Sequence, residues 1–229
     1  MRDRVLALTI PPVGKSVYAD RTFDRARAEP DAPGRPYELG RSMAAAMLHE
    51  VGPLFRGRRM AIEIGCGVGH VLLGHAGSFE RLRGVDVAPS RLARLEERAT
   101  QTGIANVQGF LPSQPWDEPT GCADYVYSSG VFQYIENGIE IADYLQRIAV
   151  ALRRNGIAQL QFDTRPRNAT YRVGRYVPDR LLPRSDRRGV RSIRRTPTWV
   201  WDRLRGADFE VFGEWGHWTD RTWFVARRR

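Results

Sequence analysis

Lysine occurs once in this chain of 229 residues, at Lys15, and cysteine twice, at Cys66 and Cys122. Two cysteines cannot build a disulfide framework or a zinc site, and nothing else in the chain resembles a metal-ligand cluster. The expectation is a metal-free protein of a reducing compartment, the cytoplasm. Long apolar runs are missing too, so no membrane span is expected. The opening MRDRVLALTIPPV is basic and then briefly apolar. Pro11 and Pro12 break that run and no small-residue cleavage site follows, which argues against a signal peptide.

What the chain does have is 42% hydrophobic residues, enough for one sizeable core or a domain with a modest cap. Its net charge is +10, placed unevenly: residues 165–198 carry eleven arginines against Asp179 and Asp186, a local +9. A chain-wide preference for arginine explains which base is used there. It does not explain why acids are so scarce in that segment.

From Met60 onward, short β-like runs alternate with amphipathic helical runs, the pattern of a parallel α/β sheet. MAIEI (60–64) reads as the first strand, followed by a glycine loop and a helix from near Val68. LRGVDV (82–87) reads as the second strand. Pro89 or Ser90 then opens a helix with Leu92 and Leu95 on one face, which Gly103 stops. NVQGF (106–110), ADYVYSS (123–129) and IAQLQFD (157–163) supply the next strands. Before the last of these, Ile141, Leu145, Ile148 and Leu152 make a helical stripe that runs on to Arg153, Arg154 and Gly156. Thr196 and Pro197 cap a final helix ended by Gly206, and FEVFGEW with TWFVARR close the sheet as a hairpin.

Ahead of the sheet, Met43, Met47, Val51 and Leu54 form another helical stripe, preceded by a Pro-rich stretch. The expected fold is therefore α/β and Rossmann-like: a seven-stranded, mostly parallel sheet with helices on both faces and a C-terminal antiparallel hairpin. The chain reads as a single domain, 1–229, with an N-terminal flap (1–40) and an Arg-rich cap (165–198) between the fifth strand and the last helix.

The stretch EIGCGVGH (63–70) carries the chemistry. A phosphate-cradling loop needs G-x-x-x-x-G-K-[ST], and the only GKS, Gly14 to Ser16, has Thr9 where the leading glycine belongs. A dinucleotide fingerprint needs G-x-G-x-x-G, and His70 occupies the place of its third glycine. What stands there is E-x-G-x-G-x-G, with Glu63, Gly65, Gly67 and Gly69, and Asp86 at the end of the next strand. This resembles the first motif of the class I S-adenosylmethionine-dependent methyltransferases, and Asp86 resembles the acid that grips the cofactor ribose in them. The resemblance covers residues 37–163 in the family's order, through AIEIGCGVGH, GVDVAPSRL, ADYVYSSGVFQYI and YLQRIAVALRRNGIAQLQF.

That resemblance implies S-adenosylmethionine as cofactor. Asp86 would accept hydrogen bonds from both ribose hydroxyls, the glycine amides would meet the amino-acid end, and Glu63 would brace the loop and attract the ammonium. Cys66 in the loop, Val87 beside Asp86, and Ser128 and Gly130 after the fourth strand complete the expected cofactor contacts. Phe110 and Leu111 stand, with Pro112, where the family often has an acid or amide, so adenine would meet backbone and apolar groups. Arg154-Asn155-Gly156 replaces the usual Pro-Gly-Gly. Gln133 and Tyr134 border the acceptor in this scheme, and Tyr134 is the candidate catalytic residue. Among the histidines, no rule selects His49, His70, His75 or His217 as a base.

The function expected is methyl transfer to an oxygen or nitrogen of a small acceptor. The basic cap points to an acceptor with phosphate or carboxylate, since arginine binds such groups bidentately. One alternative is an RNA methyltransferase that uses the cap as an electrostatic footprint, with Tyr171, Tyr176 and Trp199 as stacking platforms. It lacks the Asn/Asp-Pro-Pro-aromatic motif of many base-amino methyltransferases. The other is a non-catalytic binding protein of this fold whose basic segment docks a protein or an anionic membrane surface.

Overall fold

The computed structural model describes residues 35–174, 176–183, 187 and 190–229. Most of the expected N-terminal flap, and Arg175, Arg184 and Arg188 of the cap, lie outside them. Helix α1 spans Arg35–Val51, so the last positions assigned to the flap belong to a helix. Then follow β1 (Met60–Ile64), α2 (His70–Gly74), β2 (Arg81–Val85), α3 (Pro89–Gln101), β3 (Val107–Phe110), β4 (Ala123–Ser128), α4 (Gly138–Ala151) and β5 (Leu152–Phe162). A short α5 (Ala169–Gly174) lies in the cap, and α6 (Pro197–Gly206), β6 (Phe209–Trp215) and β7 (Thr222–Arg228) end the chain.

The strands form one sheet in the order β3-β2-β1-β4-β5-β7-β6. Pairing is parallel from β3 to β5 and antiparallel for β7 against both β5 and β6. Every residue of β1 and β4 is buried, as a central parallel strand covered on both faces requires. Because side chains alternate across a strand, β1 sends Met60, Ile62 and Ile64 to a core shared with α4 and α6, including Ile141, Leu145, Val200 and Leu204. Ala61 lies in the opposite core with Met47 of α1, Leu72 of α2, Leu95 of α3, Tyr125 and Tyr127. Glu63 belongs by the same alternation to that second face.

Strand order reverses between β1 and β4, and open sheets bind ligands at the carboxyl ends of strands flanking such a switch. Asp124, at the opposite end, fixes these two strands to each other: its Oδ2 accepts from the Arg59 amide at 2.6 Å and the Met60 amide at 3.4 Å. Arg153 Nε lies 2.5 Å from Asp124 Oδ1 as an ion pair whose angle falls outside hydrogen-bond geometry. This pairing explains one departure from the sequence reading. The expected helix through Arg154 stops at Ala151, because Leu152 is buried and pairs with Ala123. Asn155 then takes a left-handed conformation, φ 64°, and β5 begins five residues earlier than its apolar run indicates. Elsewhere the starts agree closely: Thr196 caps α6 by accepting from the Trp199 amide, and Pro89 opens α3, which buries Leu92, Leu95 and Ala99.

The described residues between β5 and α6 form little regular structure, and their carbonyls need donors from elsewhere. The cap's arginines supply them. Arg167 Nε donates to the Arg194 carbonyl at 2.8 Å, Arg194 Nη1 to Pro166 at 2.6 Å, Arg191 Nη1 to Gly174 at 3.3 Å and Arg187 Nε to Leu182 at 3.1 Å. Arg195 is 5% exposed. Its Nη2 donates to the carbonyls of Ile135 at 2.6 Å and Glu136 at 3.3 Å, and its guanidinium lies 4.9 Å from the centre of the Trp199 ring. Much of the positive charge that reads as a ligand surface in the sequence is thus turned onto the protein's own backbone.

Replacing Arg195 by Met keeps the packing stem but removes the donors to the Ile135 and Glu136 carbonyls, each hydrogen bond to a charged group contributing roughly 1.5–3 kcal/mol. The expected cost is about 3 kcal/mol in chemical denaturation. A loss below about 0.5 kcal/mol, the scale of an ordinary surface substitution, overturns the structural role given to this residue.

Candidate functional site

The loop after β1 is held by backbone before any side chain contributes. The amides of Gly65 and Cys66 donate to the Val85 carbonyl at 2.6 and 3.1 Å, and the Gly69 amide donates to Cys66 at 2.9 Å. The three glycines of the motif then serve different purposes. A Cβ on Gly65 would lie 2.0 Å from Val131 Cγ2, and one on Gly69 would lie 2.2 Å from Leu95 Cδ1. Those two let the loop after β4 and helix α3 pack closely. Gly67, at φ +55°, has nothing within 4 Å of a Cβ position. It is the one glycine of the motif whose missing side chain leaves an open face.

Asp86 follows β2 directly and is 5% exposed. Its Oδ2 accepts from the Gly67 amide at 2.9 Å and its Oδ1 from the Ala88 amide at 3.0 Å. Its own amide donates to Phe110 at 3.1 Å. Each carboxylate oxygen retains acceptor capacity beyond one such bond, so the group ties the loop to the strand end while still able to accept from a diol. Val87, next in the chain, is 38% exposed. Phe110 and Leu111 are half-buried at the end of β3, with Arg83 stacked 5.0 Å from the Phe110 ring.

Glu63 is buried in β1 and accepts from the Tyr127 hydroxyl at 3.1 Å. Burial pushes its carboxyl pKa up to about 8, against the lowering effect of Tyr127 and the Leu72 backbone. No cation pairs with it among the described residues. A buried carboxylate beneath the glycine loop that lacks a countercharge fits the ammonium of an amino-acid ligand. Cys66 is also buried, and burial lifts its thiol well above the usual pKa, which makes it a small packing group and not a nucleophile.

Two expected contacts look different in three dimensions. Ser128 is fully buried and donates to the Ile64 carbonyl at 2.9 Å, bracing β1 against β4. Gly130, at φ 70°, and Ser129 lead into a turn whose Val131 closes on Gly65. Tyr134 ends the short 3₁₀ segment Phe132–Tyr134 and is half-buried, with its amide donating to Val131 at 2.8 Å. The turn is pinned to the cap by the Ile193 amide donating to Gln133 at 2.6 Å.

The histidines separate clearly. His49 is exposed on α1 and His70 lies 3.0 Å from Arg98 Nη1. His75 is fully buried against Phe79, Tyr125 and Tyr127, and burial lowers its pKa to about 4. His217 is paired with Glu214 at 2.9 Å. The sequence reading missed Gln161, Asp163 and Thr164, buried polar residues at the carboxyl end of β5. The signal was present as a polar run, Gln-Phe-Asp-Thr, where a strand leaves the sheet on its ligand-binding edge.

Comparison with known proteins agrees with this geometry. A family profile described as "Methyltransferase domain" matches residues 62–158, from β1 into β5. Among curated proteins no match is found. Among solved structures, magnesium protoporphyrin IX methyltransferase from Synechocystis PCC 6803 with bound S-adenosylhomocysteine superposes with a TM-score of 0.61 at 16% identity, over 91% of this chain and 93% of that one. CalS10, an amino pentose methyltransferase from Micromonospora echinaspora with bound S-adenosylmethionine, gives 0.63 at 17% identity, over 83% and 92%. A S-adenosylmethionine-dependent methyltransferase from Methanosarcina mazei gives 0.64 at 12% identity, over 78% and 96%. The family match spans the loop and Asp86, and the shared fold spans most of the chain: residues 62–158 match a methyltransferase domain, within a chain that has the fold of solved S-adenosylmethionine-dependent methyltransferases.

Proposed function

We propose that the protein transfers the methyl group of S-adenosylmethionine to an oxygen or nitrogen of a small anionic acceptor. The observation that carries the cofactor half of this reading is the Asp86 carboxylate bonded to the Gly67 amide beside the open face of Gly67. In this reading Asp86 receives the ribose hydroxyls, Glu63 faces the ammonium from beneath the loop, and Val87, Phe110 and Leu111 flank the adenine. Gly65 and Gly69 act through packing, and Ser128 and Cys66 support the loop and strand ends.

The bound sulfonium supplies an already activated methyl group. What remains for this chain is to hold a nucleophile in line with it and keep water out. The turn 129–134 would serve that task, a reading supported by Val131 lying against the glycine loop while the Gln133 carbonyl bonds to the cap. Tyr134 would orient the acceptor from this turn. The arginines bonded to cap carbonyls favour a small acceptor over RNA, since guanidinium groups already held in this way are poorly available to a phosphate backbone.

Calorimetric titration with S-adenosylmethionine and S-adenosylhomocysteine tests the cofactor contacts. Asp86→Ala removes two charge-assisted hydrogen bonds to the ribose and frees the Gly67 amide. At ~1.5 kcal/mol per bond the affinity is expected to fall about a hundredfold; an unchanged affinity removes Asp86 from the site.

Glu63 gives a prediction on pH. Its folded pKa of about 8 lies above the unfolded value of 4.5, so the native state keeps a proton that the unfolded chain loses. The resulting stability is fully present below pH 4.5 and is lost as pH rises through about 8. Thermal unfolding of the cofactor-free protein is expected to show this decline, and Glu63→Gln to flatten it. Parallel profiles for the two proteins would contradict the uncompensated burial of Glu63.

A further inference from the structure

Where β5 leaves the sheet, Asp163 is fully buried and almost wholly committed to the start of the cap. Its Oδ1 accepts from the Arg165 amide and from Arg165 Nε, both at 3.0 Å. Its Oδ2 accepts from Arg165 Nη2 and from the Ser192 hydroxyl, both at 2.6 Å, while its backbone carbonyl accepts from the Arg195 amide at 2.8 Å. One edge of the Arg165 guanidinium is thereby locked in a fork geometry. Arg165 Nη1 makes no hydrogen bond or ion pair among the described residues, and the side chain is 40% exposed. An arginine fixed on one edge and open on the other has lost its rotamer freedom before any ligand arrives.

The Arg165 guanidinium also has neighbours from other segments. Asp163, Asp220 and the Tyr134 hydroxyl lie close enough to the guanidinium to raise its pKa, the Asp163 hydrogen bond contributing most. Tyr134 stands on the turn that touches the glycine loop through Val131. Asp220 lies on the exposed β6–β7 connection, which is held to the end of β5 by the Thr164 amide donating to Thr219 at 3.0 Å and the Trp218 amide donating to Thr164 Oγ1 at 3.1 Å. Three segments distant in sequence therefore meet at Arg165.

We propose that Arg165 is the acceptor-recognising residue, its Nη1 edge binding an oxyanion of the acceptor, a carboxylate or a phosphate, while Asp163 and Ser192 act as positioning residues. This rests on the methyltransferase reading above and names which of the cap's arginines meets the substrate.

The test uses the full chain loaded with S-adenosylhomocysteine and labelled with ¹⁵N, following the Arg165 Nε–H signal, assigned by its loss in Arg165→Gln. Inorganic phosphate and benzoate are titrated separately, with anion affinity also measured by calorimetry. A saturable shift with either anion is expected, the tighter one indicating a phosphorylated or a carboxylic acceptor. Arg165→Gln is expected to weaken that anion at least tenfold while S-adenosylhomocysteine binds as before. Arg165→Lys, which keeps the charge and loses the fork, should fall between the two, and Ser192→Ala should weaken the anion more mildly. Arg172→Gln, an exposed cap position, should change nothing. No saturable shift, or equal weakening by Arg165→Gln and Arg172→Gln, overturns the proposal and leaves the cofactor reading standing. Failure of the wild-type protein to bind S-adenosylhomocysteine overturns both.

Discussion

The carboxylate of Asp86 is the contact on which the geometry of the glycine loop depends. It sits at the carboxyl end of β2 and bonds to amides on either side of it in space, Gly67 in the loop after β1 and Ala88 at the start of α3. A buried carboxylate needs donors, and these two amides provide them at the carboxyl edge of the sheet, one strand away from the reversal of strand order. The same constraint that satisfies the carboxylate sets the loop's curvature. Strand, loop and helix are thus positioned together around one side chain, and its remaining lone pairs are available to a diol.

Glu63 complements Asp86 from beneath. The alternation of β1 places it on the face with Tyr127, where it has a hydrogen-bond donor but no countercharge among the described residues. Stability is given up there to keep an unpaired acid under the loop, and strain of that kind collects at functional sites. Asp163 shows the opposite arrangement. It is as deeply buried, yet hydrogen bonds from Arg165 and Ser192 outweigh the burial and hold its carboxyl below the usual range. One acid lacks a countercharge among the described residues, and the other is compensated by its hydrogen bonds.

The cap changes the meaning of the chain's charge. In a segment with few ladder hydrogen bonds, arginine is an efficient internal donor: its fork reaches carbonyls several residues away while its stem covers apolar surface. Arg195 over Trp199 and Arg194 over Tyr171 do both at once. The local +9 of residues 165–198 is consequently carried in part by guanidinium groups whose donors are already engaged by the protein's own carbonyls.

The sequence by itself determined the strand and helix alternation, the glycine loop, Asp86 and the closing hairpin. These are short-range properties: periodicity, capping and turn chemistry act within a few residues of one another. It misjudged the α4–β5 junction, because helical periodicity continues into Leu152 while that residue pairs with Ala123. Only the tertiary structure decided which glycine stays open, that Ser128 braces β1 against β4, and that the Arg165 Nη1 edge has no hydrogen-bond partner among the described residues. Each of those outcomes depends on contacts between residues far apart in the chain, such as Gly65 with Val131, Tyr127 with Glu63 and Ser192 with Asp163. Local pattern carries no record of such pairs, since it is the folding of the sheet that brings them together.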